Sequence, residues 1–331
     1  MRLRKSIRNI FKISFPLLLG GAILYWMYRD FDFRAVRRVA TEEMNWWWML
    51  ASFPFGVLAQ AFRGWRWKQT LEPLGERPRT STCVNSIFLS YAVSLVIPRI
   101  GEFARCGVLK RQDGVPFAKA VGTVVMERAI DSLLIVIIAG MVVMSQLGIF
   151  NRFFSITGVD LRQTLRGFSH EGYLVTAACG IVAVIFLYFL LKRLAFYDKV
   201  KLTVKGLFDG VTSLKGVRNI PLFIFFSAAI WVSYFLHYYL TFFCFEATSG
   251  LGVTCALVTF IVGSIAVIVP TPNGAGPWHF AVKTMLVLYG VAATDALYFV
   301  LIVHTVQTLL VIVLGVYAWT RISLQKRYER N

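Results

Sequence analysis

The chain has 331 residues, of which 57% are hydrophobic, 15% aromatic and only 16% charged. This composition leaves too little polar surface to cover a soluble globule of that size, so it predicts an integral membrane protein. The formal net charge of +18 lies mostly between the apolar segments, as expected for loops that face an anionic cytoplasmic leaflet, and we expect no nucleic-acid partner. The five cysteines are scattered, mostly inside apolar runs, which argues against a disulfide framework or a zinc site.

Six apolar runs are long enough to cross a bilayer, which takes about 17 to 25 residues. They lie near residues 13–28, 46–62, 129–150, 173–191, 220–246 and 294–320. The first run follows five basic residues and has no small-residue cleavage site after it. We therefore expect a retained first span and not a cleaved signal peptide.

Two further hydrophobic segments, residues 82–111 and 252–290, are interrupted by proline and glycine. The interruptions are Pro98-Arg99-Ile100-Gly101-Glu102 and Pro270-Thr271-Pro272-Asn273-Gly274-Ala275-Gly276-Pro277. A broken helix leaves backbone groups unpaired, which a bilayer tolerates only where protein or a watery cavity satisfies them. Paired interruptions in the two halves of a chain indicate a transport site near the midplane.

Basic linkers determine the predicted orientation. The segments before residue 13, at 63–81, at 192–219 and after Arg321 all carry an excess of Lys and Arg, so both termini are expected in the cytoplasm, with the chain in the cytoplasmic (inner) membrane. Residues 63–81 and 192–219 share a side only if residues 82–111 enter the membrane and return. Counting membrane crossings in the same way between residues 192–219 and the carboxyl-terminal segment, we expect residues 252–290 to enter the membrane from outside and return.

The predicted fold is therefore an all-α integral membrane protein with about six full transmembrane helices and two re-entrant broken-helix hairpins. Residues 1–150 and 173–320 each make three crossings, so the second half is inverted relative to the first within a single polytopic domain. Residues 192–219 form the linker between the halves. We expect a basic amphipathic helix there, on the cytoplasmic surface.

The first broken segment is rich in polar side chains. Asn85 lies in its entering arm, and Arg99, Gly101, Glu102 and Arg105 surround the break. Glu102 and Arg105 are three residues apart and share a helix face. Either these charges neutralise each other at a membrane surface, or the break exposes backbone donors beside a guanidinium and binds a phosphate or another oxyanion.

Acidic residues also open the span that follows. Glu127 and Asp131 are one helical turn apart, with Arg128 between them. An ionised acid at membrane depth costs about 2.5 to 3.5 kcal/mol, so Asp131 should pair or face the bundle interior. A structural pair with Arg128 or with an arginine of the first hairpin is one interpretation, and a role in proton or cation coupling is the other.

The second break contributes a set of turn residues and two basic side chains. They are Pro270, Pro272, Asn273, Gly274, Gly276, His279 and Lys283. Pro277 is suited to begin the returning helix, whose amino terminus would attract anions beside His279 and Lys283. A purely structural turn is the alternative. His237 and His304 lie in other spans and are able to approach His279, but we expect core histidines and no metal.

Four spaced motifs resemble one known family. They are Pro-Arg-x-Gly-Glu-x-x-Arg from Pro98 to Arg105, Glu127-Arg128-x-x-Asp131, the segment from Pro270 to Gly276, and Arg63-x-x-Arg66-Trp67. Together they resemble the membrane domain of lysylphosphatidylglycerol synthases and its stand-alone relatives, over nearly the whole chain. The resemblance implies a flippase-like domain that moves a phospholipid or similar lipid between leaflets, with the polar hairpins lining the headgroup cavity.

The chain departs from that family in two ways. Full-length synthases have a soluble aminoacyl-transferase domain after the membrane part, whereas eleven residues follow Thr320 here, so we expect no lysyl transfer. Asn273 stands where the family usually has a second glycine, and His279 where it usually has a glutamate. Without that acid, an aminoacylated, cationic headgroup is disfavoured.

These observations predict a lipid translocase and not an enzyme. The headgroup would lie between Arg99, Glu102 and Arg105 on the inner side and residues 273–279 on the outer side, with Arg128 contacting an anionic group. The arginines favour an anionic phospholipid or a polyprenyl-phosphate-type lipid. The chain has no nucleotide-binding phosphate loop or dinucleotide fingerprint, so we expect no cofactor, and movement would be passive, coupled to an ion gradient or driven by a partner.

Two other functions fit the same sequence. A membrane-embedded transferase or hydrolase acting on a lipid-linked substrate would use Glu102, Asp131 or His279 as general acid or base. An accessory membrane subunit would act only through its partner. The sequence leaves open which lipid is bound, the direction of movement and whether the chain forms a homo-oligomer.

Overall fold

The computed structural model describes residues 33–149, 212–269 and 271–325, together with Tyr25 and Asp209. All regular elements within these ranges are helical. The predicted spans 13–28 and 173–191 lie outside the described residues, as do Pro270 and most of the predicted linker helix. The described end of that linker is a 3-10 turn at Ser213–Gly216.

Ten α-helices are described. In chain order they are α1 (Phe33–Arg38), α2 (Trp46–Leu71), α3 (Thr80–Val96), α4 (Ile100–Asp113), α5 (Phe117–Ser145), α6 (Ile220–Tyr239), α7 (Glu246–Ser249), α8 (Val253–Ala266), α9 (Pro277–Leu288) and α10 (Ala293–Leu324). A π-helical turn at Val39–Glu43 follows α1, and 3-10 turns follow α2 at Glu72–Leu74 and α6 at Leu240–Cys244.

Three of the described helices are long and apolar enough to cross a membrane. They are α5, α6 with its 3-10 extension, and α10. α2 has 26 residues, about 39 Å at 1.5 Å per residue, which is also long enough to cross. The helix that contains the predicted second span, 46–62, continues to Leu71 and buries Arg63 and Arg66, which the sequence had placed in the following loop.

The first break turns the chain back on itself as an antiparallel pair of helices, α3 and α4, named here the first hairpin. At its open end the backbone N–H of Arg79 donates to Asp113 Oδ2 at 3.1 Å. Near its tip Gly101 packs directly on the backbone of Ser90. The tip is tight because Arg99 adopts a left-handed conformation with φ of 64°, which ends one helix and starts the next.

The second break forms a second hairpin from α8 and α9. Gly263 packs against Trp278 in its arms, and Gly274 packs against Val267 at its tip. α9 begins at Pro277, as the sequence predicted. The four arms of the two hairpins have 17, 14, 14 and 12 residues, or roughly 18 to 25 Å. Each arm is shorter than the hydrocarbon core of a bilayer, which is about 30 Å thick.

Two long helices run past both hairpins and fix their relative directions. At the start of α5, Lys119 Nζ donates to Glu76 Oε1 at 2.7 Å, beside the open end of the first hairpin. At the end of α5, Tyr289 OH donates to Gln146 Oε1 at 3.4 Å, beside the open end of the second. α10 leaves the second hairpin and reaches the open end of the first, where Gln112 Nε2 donates to Ile322 O at 3.0 Å. The two open ends therefore lie at opposite ends of these helices.

The tips of the hairpins meet between those ends. Arg99 Nη2 of the first tip donates to the carbonyl of Ile268 in the second at 2.8 Å. Alongside, Gly315 of α10 packs against Ala92 of α3. The two interrupted segments, 169 residues apart at this contact, are thus neighbours in the fold.

Candidate functional site

A cluster of charged side chains lies between α2, α4 and α5. It contains four arginines and three carboxylates, namely Arg63, Arg66, Arg105, Arg128, Glu102, Glu127 and Asp131. Four positive charges against three negative charges leave the cluster with a net charge of +1. We call this set the charge cluster.

Asp131 is the centre of the charge cluster. Arg63 Nη1 donates to its Oδ2 and Arg66 Nη2 to its Oδ1, both at 2.7 Å. Arg128 Nη2 lies 3.2 Å from the same Oδ2. The predicted pairing with Arg128 is therefore present, but the other partners come from α2 and not from the first hairpin. Three arginines around one buried carboxylate satisfy the demand that an acid at membrane depth be paired.

Glu127 holds the arginine of the first hairpin. It is fully buried, and its Oε2 accepts a hydrogen bond from Arg105 Nη2 at 2.8 Å. Its Oε1 lies 3.8 Å from Arg66 Nε. The Arg105 guanidinium also sits 4.5 Å from the centre of the Trp67 ring, a cation–π contact that fixes its plane.

Glu102 and Arg128 form the exposed edge of the charge cluster. Arg128 Nε lies 3.3 Å from Glu102 Oε1, and the two side chains are 40% and 36% exposed. The interpretation in which Glu102 and Arg105 neutralise each other at a surface is wrong, because Arg105 is buried against Glu127 and Glu102 pairs with Arg128.

Three predicted residues of the first hairpin lie outside the charge cluster. Arg99 is exposed at the tip, where it bonds to Ile268. Gly101 is a packing residue, since any side chain there would overlap Ser90. Asn85 is buried in α3 and takes no part in the ion pairs of the charge cluster.

The second break is tied to α10 through Asn273. Its side-chain Nδ2 donates to Thr308 Oγ1 at 2.7 Å, and its backbone carbonyl oxygen lies 3.1 Å from His304 Nε2. Asn273 itself has φ of 52°, a conformation that asparagine tolerates better than most residues. The His279 ring is buried 4.4 Å from the His304 ring, centre to centre, so the predicted approach of these two histidines is confirmed.

The remaining residues of the second break serve mainly its shape. Gly274 and Gly276 have φ of 70° and 92°, which strongly favours glycine. Pro272 is the first residue of a short 3-10 turn at Pro272–Gly274. His279 is buried whereas Lys283, one turn later, is half-buried. Lys283 makes no ion pair with the described part of the chain.

The third histidine does not join this pair. His237 Nδ1 lies 2.8 Å from the carbonyl of Ser52 on α2. Within the described residues, no group of three or more His, Cys, Asp or Glu side chains is arranged to hold a metal ion. The histidines of α9 and α10 both contact the second break, since the N–H of Gly276 donates to His279 Nδ1 at 3.4 Å and His304 Nε2 lies 3.1 Å from the backbone carbonyl of Asn273.

A sequence model described as the lysylphosphatidylglycerol synthase TM region matches residues 13–315. The chain belongs to this family. The match covers both hairpins, the charge cluster and all of the predicted spans except the end of the last. Every residue of the candidate site therefore lies within the region that the family model matches.

A relative named for an enzymatic activity matches a shorter stretch of the chain. Over 87 residues the chain is 32% identical to a protein named glycosyltransferase AglD from Haloferax volcanii. The matched stretch is 26% of this chain and 14% of that protein, so the chain spans about a seventh of the length of the curated relative it matches.

Four residues of this family member were missing from the predicted site. Arg63 and Arg66 were assigned to a cytoplasmic loop, although their spacing of three within a continuing helical pattern was a usable indication. Tyr91 and Tyr234 had no such indication. Their hydroxyls lie 2.7 Å apart and join α3 to α6 across 143 residues of sequence.

Proposed function

We propose that this protein is a lipid translocase of the cytoplasmic membrane. It moves a phospholipid or another amphipathic lipid with an anionic headgroup, including polyprenyl-phosphate-type lipids, between the leaflets. Family membership and the apolar spanning helices support a membrane protein related to lipid metabolism. Translocation itself is the proposed step.

The arrangement of the hairpins supports two re-entrant segments that enter from opposite sides. Their arms are too short to cross, their tips touch at Arg99 and Ile268, and their open ends lie at opposite ends of α5 and α10. Helix α2, the first hairpin and α5 then form one half, and α6, the second hairpin and α10 form the inverted other half. The predicted spans 13–28 and 173–191 bring the number of full crossings to six.

Basic side chains support a cytoplasmic location for the open end of the first hairpin. They are Arg77, Arg79, Lys110, Arg111 and Lys119. The end of α10 lies at the same end, so the carboxyl terminus is cytoplasmic by the positive-inside rule. The amino terminus joins it there if residues 13–28 cross once.

The observation that carries the proposal is the position of Arg128. Asp131 keeps its two bonds from Arg63 and Arg66 when Arg128 leaves. Arg128 and its other partner Glu102 are both more than one-third exposed, and an ion pair of that kind contributes only about 0 to 1 kcal/mol. Of the four arginines in the charge cluster, Arg128 is therefore the one whose ion pairs an anionic headgroup can replace with the smallest loss of free energy.

The test uses purified protein in vesicles that contain fluorescent phosphatidylglycerol in both leaflets. Dithionite quenches the outer leaflet at once and reaches inner-leaflet lipid only after that lipid has moved. The native protein should accelerate the slow phase, and Arg128→Gln should reduce its rate roughly tenfold or more, because hydrogen bonds to charged groups contribute about 1.5 to 3 kcal/mol.

Arg79→Gln is the matched control. Arg79 is 43% exposed and pairs with Asp113 at 2.6 Å, but it lies at the open end of the first hairpin, away from the charge cluster. It should translocate at close to the native rate. Equal rates for native protein and Arg128→Gln, with both folded and the vesicles sealed to dithionite, would contradict the proposal.

The name of the Haloferax volcanii relative favours one second candidate, an enzyme that acts on a lipid-linked substrate. Glu102 would be its general acid or base, since it is the most exposed carboxylate of the charge cluster, whereas Asp131 is held by three arginines. Mass spectra of lipid extracts distinguish the two functions. An enzyme changes the mass of its lipid substrate, and a translocase leaves it unchanged.

A further inference from the structure

Two carboxylates share Arg128, and they depend on it to different degrees. Asp131 also binds Arg63 and Arg66, each at 2.7 Å. Glu102 Oε1 lies 3.3 Å from Arg128 Nε, and within the described residues no other cationic side chain lies within 4.0 Å of Glu102. An anionic headgroup that takes Arg128 therefore leaves Asp131 paired and leaves Glu102 without an ion pair.

Four other charged side chains act on Glu102 from a greater distance. They are Arg63 of α2, Arg105 and Arg99 of the first hairpin, and Glu127 of α5. The three arginines already donate to other groups, in the same order to Asp131, to Glu127 and to the carbonyl of Ile268. None of them replaces Arg128 as the ion-pair partner of Glu102 unless it moves.

With a headgroup on Arg128, the carboxylate of Glu102 lies beside a second anion, the phosphodiester. Two anions that compete for one cation disfavour each other's ionised form, and an unpaired charge within a membrane protein is costly. A phosphodiester is a much stronger acid than a carboxylic acid, so a proton binds to Glu102 and not to the lipid. Glu102 is 36% exposed, which lets water deliver that proton, and the protonated acid can donate a hydrogen bond to the phosphate.

We propose that the protein moves one proton together with each anionic headgroup, and that Glu102 is the residue that binds the proton. This inference rests on the proposed lipid translocation and adds the ion gradient that drives it. The proton binds to the Glu102 carboxylate when the headgroup binds to Arg128. It returns to water on the other side of the membrane when the headgroup leaves and Arg128 pairs with Glu102 again.

The charges balance over this cycle. The empty charge cluster has a net charge of +1 and keeps it when an anion and a proton bind together. Because each ligand favours the other, the affinity for the headgroup and the affinity for the proton rise by the same factor. A lipid anion and a proton together carry no net charge, so the direction of movement follows the difference in pH and not the membrane potential.

The experiment measures how a trace of fluorescent phosphatidylglycerol divides between the leaflets of sealed proteoliposomes at steady state. Potassium and valinomycin hold the membrane potential at zero, and a brief dithionite treatment reports the fraction in the outer leaflet. With the interior about one pH unit more acidic than the exterior, coupled movement should place about tenfold more labelled lipid in the outer leaflet than in the inner one, because each pH unit is a factor of ten in proton activity. Protein-free vesicles give the distribution without transport.

Glu102→Gln tests the residue. Its neutral side chain cannot bind the proton, so the variant should divide the lipid evenly between the leaflets despite the pH gradient. Glu76→Gln is the matched control, because Glu76 pairs with Lys119 at 2.7 Å beside the open end of the first hairpin, away from the charge cluster. It should keep the native distribution. If Glu102→Gln moves no lipid, Glu102→Asp should restore movement together with the response to pH.

The outcomes separate proton coupling from translocation. An even distribution in the presence of native protein that exchanges lipid between the leaflets would overturn proton coupling and leave translocation intact. A pH response that persists in Glu102→Gln, or folded Gln and Asp variants that both move no lipid, would overturn the role of Glu102 as the proton-binding residue. No exchange by the native protein, with or without the gradient, would instead contradict the proposed function.

Discussion

At the scale of single residues, the charge cluster places seven ionisable groups among apolar helices. Each carboxylate contacts at least one guanidinium, and Asp131 contacts three. A charge buried in this way is stable only while its ion-pair partners are present, so the loss of one member destabilises the members that it contacts. Removal of a central member leaves its neighbours uncompensated, whereas removal of an edge member leaves a group that water can reach.

Asp131→Asn tests this difference. The substitution keeps the shape of the side chain but leaves Arg63 and Arg66 facing a neutral group, and breaking a buried ion pair costs about 3 to 5 kcal/mol. Glu102→Gln removes the carboxylate of the half-exposed pair and should cost about 1 kcal/mol or less. Thermal unfolding in detergent should show a much lower midpoint for the Asp131 variant. Similar midpoints for both variants would mean that the buried pairs do not hold the helices together.

The sequence indicated the acids of this cluster better than its bases. Glu127 and Asp131 stand out because they lie at the start of a long apolar run, and residues 132–150 after Asp131 contain no other charge. Arg63 and Arg66 resemble the other basic residues of a loop, and their ion-pair partners in the described part of the chain are carboxylates of α5, more than 60 residues away. Hydropathy is a local measure and takes no account of a distant ion-pair partner. A prediction from hydropathy therefore stops at Arg63, although the helix continues to Leu71.

At the scale of elements, the first hairpin depends on close approach of its two helices. Gly101 packs on the backbone carbonyl of Ser90 and on Ser94 Oγ, so an added Cβ would overlap both. Gly64 brings α2 close to α3 as well, since a Cβ there would lie 2.7 Å from the Cα of Val84 on α3. The hairpin is therefore held from within and from α2 by contacts that admit no side chain.

Two glycines of the same helix give a matched test of this packing. Gly101→Ala should destabilise the protein by about 1 to 3 kcal/mol, the usual cost of overpacking against atoms that cannot move freely. Gly107→Ala has open space around its added Cβ and should stabilise α4 by about 0.5 to 1 kcal/mol. Thermal unfolding of the two variants measures the difference. A lower midpoint for Gly107→Ala than for Gly101→Ala would exclude tight packing as the reason for glycine at position 101.

The breaks themselves were the most predictable elements, because proline and glycine act locally. Pro277 begins α9 since its missing N–H and fixed φ suit the first helical position. The left-handed conformation of Arg99 was not predictable, because nothing in the side chain favours it. It follows from the need to turn the chain within a few residues so that the tip reaches Ile268.

At the scale of the whole molecule, the sequence predicted the location of both breaks but not which helices their polar residues contact. Both hairpins were expected to share one headgroup site. Glu102 and Arg105 of the first break pair with residues of α5, and Asn273 of the second break bonds to α10. Arg99 of the first tip donates to Ile268 of the second. Which helices supply the partners depends on packing between residues 22 to 68 positions apart in the chain, and one sequence contains no local trace of that packing.

The proposed opposite entry of the two hairpins gives the last prediction, because it places two exposed loops on different sides of the membrane. Arg77 precedes the first hairpin, and Thr294 follows the second at the start of α10. With Cys179 replaced by serine, the other four native cysteines are buried, so Arg77→Cys and Thr294→Cys each provide one accessible thiol. In sealed right-side-out vesicles an impermeant maleimide should label only the Thr294 variant, and in inverted vesicles only the Arg77 variant. Labelling of both variants from the same side would contradict the inverted arrangement, because α10 and α5 would then not separate the open ends of the hairpins across the bilayer.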